Sequence, residues 1–156
     1  MSINFPGTIT GAAVTGLTSP TYTTTADTSP PDVNCKQVAI LAFGGTQTGL
    51  VTHSVSSPFT LSYWKPKLFS LLGRPSPITG VITSVPINKH KFICRKGVLP
   101  AANQPSKPMV IRVEMDIPAG AETYDKVNIA AAISATSGAL SAMASGISDT
   151  INSGVM

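Results

Sequence analysis

The sequence predicts an α+β fold in which an antiparallel sheet comes first and helices come last, and three observations carry this. Apolar and polar residues alternate with period two in several stretches between Lys36 and Ile117, Gly- and Pro-rich turns separate those stretches, and Ala-rich sequence with apolar spacings of three and four follows Pro118. At 156 residues the chain is one domain by size, and its 42% hydrophobic content suffices for a modest core.

Residues 1–35 hold nine Thr with frequent Gly and Pro, and only Asp27 and Asp32 carry charge. A segment so poor in large apolar groups cannot fold alone. It reads as an N-terminal arm, distinct from a domain over 36–156, whose backbone must be satisfied along a sheet edge or across a neighbouring subunit; Ile3 to Val14 and Tyr22 to Thr25 are the stretches expected to run extended.

From Lys36 the chain turns strand-like. Val38, Ile40 and Ala42 alternate with Gln37, Ala39 and Leu41, and Gly44-Gly45-Thr46-Gln47-Thr48-Gly49 then predicts a hairpin turn into Leu50, Val51 and Val55. Phe59 to Tyr63 and Ile78 to Val85 are further strand candidates, with a loop between them holding Trp64, Pro66, Pro75 and Pro77. Lys89 to Leu99 follows, with Lys89, Lys91, Ile93 and Arg95 on one face and His90, Phe92 and Cys94 on the other; Lys96-Gly97 breaks the pattern and predicts a bulge that leaves Lys96 free to face either side. Pro100 to Pro108 is a loop. Met109 to Ile117 then places Ile111, Val113, Met115 and Ile117 on one face and Val110, Arg112, Glu114 and Asp116 on the other, until Pro118 ends the ladder.

Helical spacing occupies about residues 122–152. Val127, Ala130, Ile133, Leu140, Met143, Ile147 and Ile151 form an apolar stripe, and two helices are expected with a break near Ser137-Gly138, where Ser and Gly lower helix propensity. Six Ser, Thr or Asn side chains between 127 and 147 argue against a membrane span, and no basic segment leading into an apolar run opens the chain to suggest secretion. Cys35 and Cys94 alone make no disulfide framework, so a reducing compartment is the default.

Charge is segregated along the sequence. Ten of the eleven basic residues lie between Lys36 and Arg112, a window with no carboxylate. Such a field is costly to the compact state unless a counter-charged ligand offsets it, and the commonest is a polyphosphate backbone. Charged residues are only 12% of the chain, which suggests that much of its exterior is covered by other copies of itself.

Catalytic chemistry has little support. Gly44-x4-Gly49 begins like a phosphate loop but continues with Leu50 and Val51 where Lys and Ser or Thr are needed, and the carboxylates are not clustered. His90 and Cys94 are four apart on a strand, about 13 Å, too far for one tetrahedral metal ion. His53 reads as a hydrogen-bonded surface residue, and Trp64 as a packing anchor or a platform for a base. No cofactor, metal, small-molecule substrate or membrane is expected.

In their order, the run Asn88-Lys-His-Lys-Phe-Ile-Cys-Arg-Lys-Gly-Val-Leu-Pro100, the run Val110-Ile-Arg-Val-Glu-Met-Asp-Ile-Pro118 and the Ala-rich helices resemble the coat proteins of single-stranded RNA bacteriophages, the leviviruses. Ile40-Leu-Ala-Phe-Gly-Gly, Val51-Thr-His-Ser-Val and Gly73-Arg-Pro-Ser-Pro extend the resemblance over about residues 37–156. It implies an N-terminal hairpin, a five-stranded antiparallel sheet over 37–117 and two helices, with chains intertwined as dimers so that each chain's helices cover the partner's sheet. Dimers would form an icosahedral shell around single-stranded RNA, located in the virion and made in the bacterial host cytoplasm. On this basis Lys89, Lys91, Arg95, Lys96 and Arg112 are candidate RNA contacts, and Val127, Ala130, Ile133, Leu140, Met143 and Ile147 candidate dimer contacts. The rival is a sheet-based RNA-binding regulator, a translational repressor that never assembles.

Overall fold

The fold was obtained as a computed structural model describing residues 3–30 and 34–156; Asp32, one of the two acids of the N-terminal segment, lies outside the described residues. Six antiparallel strands run as a simple meander: β1 (Thr8–Thr10), β2 (Leu17–Asp27), β3 (Cys35–Gln47), β4 (Phe59–Trp64), β5 (Ile87–Val98) and β6 (Lys107–Pro118). Helices α1 (Ala121–Tyr124), α2 (Lys126–Ala142) and α3 (Ala144–Ser153) follow. The α+β order is therefore as the sequence predicts. The strand inventory is not.

The expected turn at Gly44 is absent, because β2 supplies a partner that keeps β3 extended through it, pairing Thr21 with Gly44, Tyr22 with Phe43 and Thr25 with Ala39. Gly45, at φ +76°, lies where a Cβ would run into the Ser19 and Thr18 carbonyls, so glycine here permits close strand approach instead of a reversal. Residues 50–58 form no strand. The residues 3–27 that composition reads as an arm thus run along the sheet of their own chain. Residues 3–7 then cross one sheet face: the Lys36 ammonium donates to the Ile3 carbonyl at 2.7 Å, Thr24 Oγ1 donates to the Pro6 carbonyl at 2.6 Å, and the Phe5 ring sits 6.3 Å from that of Phe92.

The strand expected over Ile78–Val85 is also missing. Residues 65–86 form a loop held by buried Asn88, whose Oδ1 accepts from the Ser70 N–H at 2.8 Å and whose Nδ2 donates to the Ser70 carbonyl at 3.2 Å. By contrast β5 and β6 pair without interruption from Ile87 opposite Pro118 to Val98 opposite Lys107, so no bulge occurs at Lys96-Gly97. The uninterrupted register fixes the face of every side chain on these strands.

Cross-strand pairing sorts the sheet into two faces. One carries Val38, Ile40, Phe43, Phe59, Leu61, Tyr63, Phe92, Ile111, Val113, Met115 and Ile117 and is apolar. Its centre is a triangle of Tyr22, Phe43 and Phe59 with ring centroids 5.9–6.1 Å apart, beside Ile40 at 2% exposure. The helices do not cover it. α2, 17 residues and about 26 Å long, has no buried residue and stands off its own sheet. The break between helices falls at Met143, not at Ser137-Gly138, because α2 tolerates the Ser-Gly pair while Met143 departs from helical geometry (φ −93°, ψ 1°), and the axes bend there by 53°. Among the described residues no single helix is long and apolar enough to cross a membrane.

Candidate nucleic-acid interface

The second sheet face is polar, and it is built in rows. Asp27, Gln37, Ser62, Ile93 and Arg112 lie opposite one another across β2 to β6; a neighbouring row runs Thr25, Ala39, Thr60, Arg95, Val110, and the next runs Cys35, Trp64, Lys91, Glu114. Thr60 and Ser62 form a buried hydroxyl floor, 5% and 1% exposed, under the longer side chains around them. Ser62 Oγ accepts from the Trp64 indole N–H at 2.9 Å, and Gln37 Nε2 donates to Asp27 Oδ2 at 2.7 Å. These contacts fix the floor and leave the aromatic face of Trp64 beside Lys91.

The structure brings together four of the five predicted RNA contacts. Lys89, Lys91, Arg95 and Arg112 share this face. Lys96 does not join them: it faces the apolar side, with its ammonium 4.8 Å from the Phe59 ring centroid and donating to the Val51 carbonyl at 2.7 Å. There it steadies the loop after β3.

Charge segregation in the sequence is not segregation in space. Folding places Asp27, Glu114 and Asp116 on the same face as the four bases. Lys91 pairs with Glu114 at 3.0 Å and Lys89 with Asp116 at 3.8 Å, and the hydrogen bond and charge of Lys91, with smaller help from Lys89 and Arg112, hold the Glu114 carboxyl below the usual range. Arg95 and Arg112 have no carboxylate partner among the described residues. The face is thus neutralised at its Ile87/Pro118 end and unbalanced at the other, where two guanidiniums flank Ile93 above the Thr60 and Ser62 floor. Planar donors over a hydroxyl-lined surface suit phosphate and sugar.

The remaining chemistry-bearing residues are occupied structurally. His90 Nδ1 meets the Tyr63 hydroxyl at 2.9 Å, and burial with the charge of Lys65 pushes its pKa down. His53 Nδ1 accepts from the Phe59 N–H at 3.0 Å and so caps the start of β4. Burial raises both the Cys35 and Cys94 thiols, and among the described residues no three His, Cys, Asp or Glu side chains gather as a metal site. Sequence reasoning missed the hydroxyl floor, since Thr60 and Ser62 acquire meaning only when β4 is placed between β3 and β5.

A meander sheet with one polar and one apolar face, followed by helices that bury no residue against it, defines an open subunit architecture. No protein-family model and no curated protein matches the chain. Among solved structures, the chain of the virus-like particle of bacteriophage ESE020 is 50% identical, with a TM-score of 0.94, over 99% of this chain and 100% of that one. The chain belongs to the bacteriophage coat-protein family of that particle, and is a capsid protein. A second likeness, to the virus-like particle of Beihai levi-like virus 32, has 18% identity and a TM-score of 0.49 over 86% of this chain and 88% of that one, too remote to add to the argument.

Proposed function

We propose that this coat protein forms an obligate dimer through its helices, that dimers assemble into a closed shell, and that the Arg95/Arg112 face lines the interior against single-stranded RNA. The observation that carries the reading is α2. It exposes Val127, Ile133 and Leu140 at 79%, 45% and 47%, and its Ala-rich circumference is apolar on nearly every side, the signature of a helix buried on all sides in its working state. The part of the apolar sheet face that residues 3–7 leave open offers the matching surface, with Met109 at 41% and Ile111 at 51% exposure. Among the described residues the outer edge of β6, a long strand, also has no pairing partner, which is a liability unless a second copy covers it.

On this reading Val127, Ala130, Ile133, Leu140, Met143 and Ile147 meet the partner, the RNA contacts are Arg95 and Arg112 aided by Lys89 and Lys91, and the protein works in the virion after synthesis in the host cytoplasm. Its role is structural, not enzymatic. Replacing Ile133 and Leu140 with Asp should abolish soluble folded dimer, measured by analytical ultracentrifugation; a well-folded monomer from that variant refutes the dimer. Negative-stain microscopy of purified wild-type protein tests the shell, and its absence under conditions that give folded dimer favours the non-assembling RNA-binding regulator.

A further inference from the structure

Two features at opposite ends of the sheet are unused by the dimer and RNA faces. In the β4–β5 loop a tight turn is closed by Ser76 N–H to the Val81 carbonyl at 3.0 Å and Gly80 N–H to the Ser76 carbonyl at 2.8 Å. Ser76 Oγ accepts from the N–H groups of Ile78 and Thr79 at 3.3 and 3.4 Å, and Pro75 and Pro77, on either side of Ser76, stiffen the entry to the turn. At its tip Ile78 is 92% exposed. A flexible loop could fold an isoleucine back, whereas this turn fixes it in solvent.

At the other end, where β5 closes and β6 begins, lies an open groove of about 360 Å³ with Val51, Leu99 and Pro105 on its walls and Gly97 in its floor. It too is preformed. The Lys96 ammonium holds the Val51 carbonyl, Ser106 Oγ donates to the Ser56 carbonyl across the groove, and Gly97 N–H donates to the Pro58 carbonyl at 2.6 Å. A Cβ at Gly97 would lie 2.8 Å from Ser57 Cα, so only glycine keeps the floor open. Leu99 and Val51 stay 65% and 52% exposed.

Ile78 belongs to the loop that enters β5 whereas the groove lies where β5 ends, and Ile78, Val51 and Leu99 all stay exposed, so a chain does not fill its own groove with its own Ile78. An apolar knob and an apolar groove on opposite ends of one subunit are the two halves of a head-to-tail contact, which closes into rings when repeated at a suitable rotation. Resting on the capsid reading above, we propose that the Ser76–Val81 turn of one dimer seats Ile78 in the Val51/Leu99/Pro105 groove of a neighbouring dimer, and that this contact joins dimers into the shell.

Ile78→Asp and Leu99→Asp, each at an exposed site, should leave the dimer folded and its RNA affinity unchanged while particle yield, measured by ultracentrifugation, falls about tenfold or more. Wild-type yields from both variants overturn the contact. The pair Ile78→Cys with Leu99→Cys provides a second readout that survives any effect on yield. Oxidised particles should give a covalent ladder extending beyond two chains, and cross-linked pairs alone, or no cross-link, overturn it. Failure of the wild-type protein itself to form particles counts against the capsid reading, whereas wild-type particles with indifferent variants count against the contact alone.

Discussion

The unequal pairing of the four bases on the polar face makes a quantitative prediction about salt. Lys89 and Lys91 already have Asp116 and Glu114 within 3.8 and 3.0 Å, whereas Arg95 and Arg112 form no ion pair among the described residues. A phosphate reaching Arg95 or Arg112 releases a condensed counterion outright; one reaching a lysine must first displace a carboxylate that remains nearby and repels it. With a slope contribution of about 0.7 per phosphate on single strands, losing two contacts flattens log K against log salt by about 1.4, so between 50 and 200 mM salt the affinity falls about sevenfold less than for wild type. The perturbation is Arg95→Gln with Arg112→Gln, and the assay is fluorescence anisotropy of a short single-stranded RNA titrated with unassembled dimer at several salt concentrations. Lys89→Gln with Lys91→Gln serves as the comparison and should flatten the slope less. If the lysine pair flattens it as much as the arginine pair or more, the spatial neutralisation argued from the salt bridges is wrong.

Three further outcomes are expected. Ile40→Ala, at a side chain 2% exposed against the Tyr22–Phe43–Phe59 triangle, should cost about 2–5 kcal/mol in denaturant unfolding of the dimer. Gly49→Ala, at φ +84° in open space, should cost about 1–2 kcal/mol, while Gly45→Ala, at φ +76° against the Ser19 carbonyl, should cost clearly more in thermal melts; equal losses would show that β2 does not press on β3 there. His90 has a folded-state pKa below its ordinary value, first from burial and then from Lys65, so the stability it contributes is present above about pH 6.5 and is lost as pH falls through that lowered value. His90→Gln should flatten the acid limb of stability against pH, and an unchanged limb rules the residue out as its source.

How legible each part was depended on whether its cause was local. The faces of β5 and β6 could be read because alternation needs only the strand itself, and Glu114 and Asp116 were visible as sharing the face of Arg112. Their pairing with Lys91 and Lys89 was not, since it depends on the register between strands. Gly44-Gly45 misled because a turn and a close strand crossing ask for the same residue, and only the presence of β2 decides between them. The same holds for Ile78 to Val85, apolar enough for a strand but interrupted by a proline turn that hydrogen-bonds to itself. Lys96 followed strict alternation, and the expected bulge came from giving Gly97 the weight of a breaker when its role is to leave room for Ser57.

The strictly sequential order of the six strands bears on how the chain is made. Every strand finds its neighbours immediately before or after it, so the sheet can grow hairpin by hairpin as the polypeptide leaves the ribosome, without waiting for distant segments. Residues 107–156, holding β6 and the helices, follow β5 over about 3–10 s at ordinary synthesis rates. Until then the nascent chain has neither the open β6 edge nor the apolar helices. The helix stripe and the β6 edge are thus presented only after the first five strands have been made.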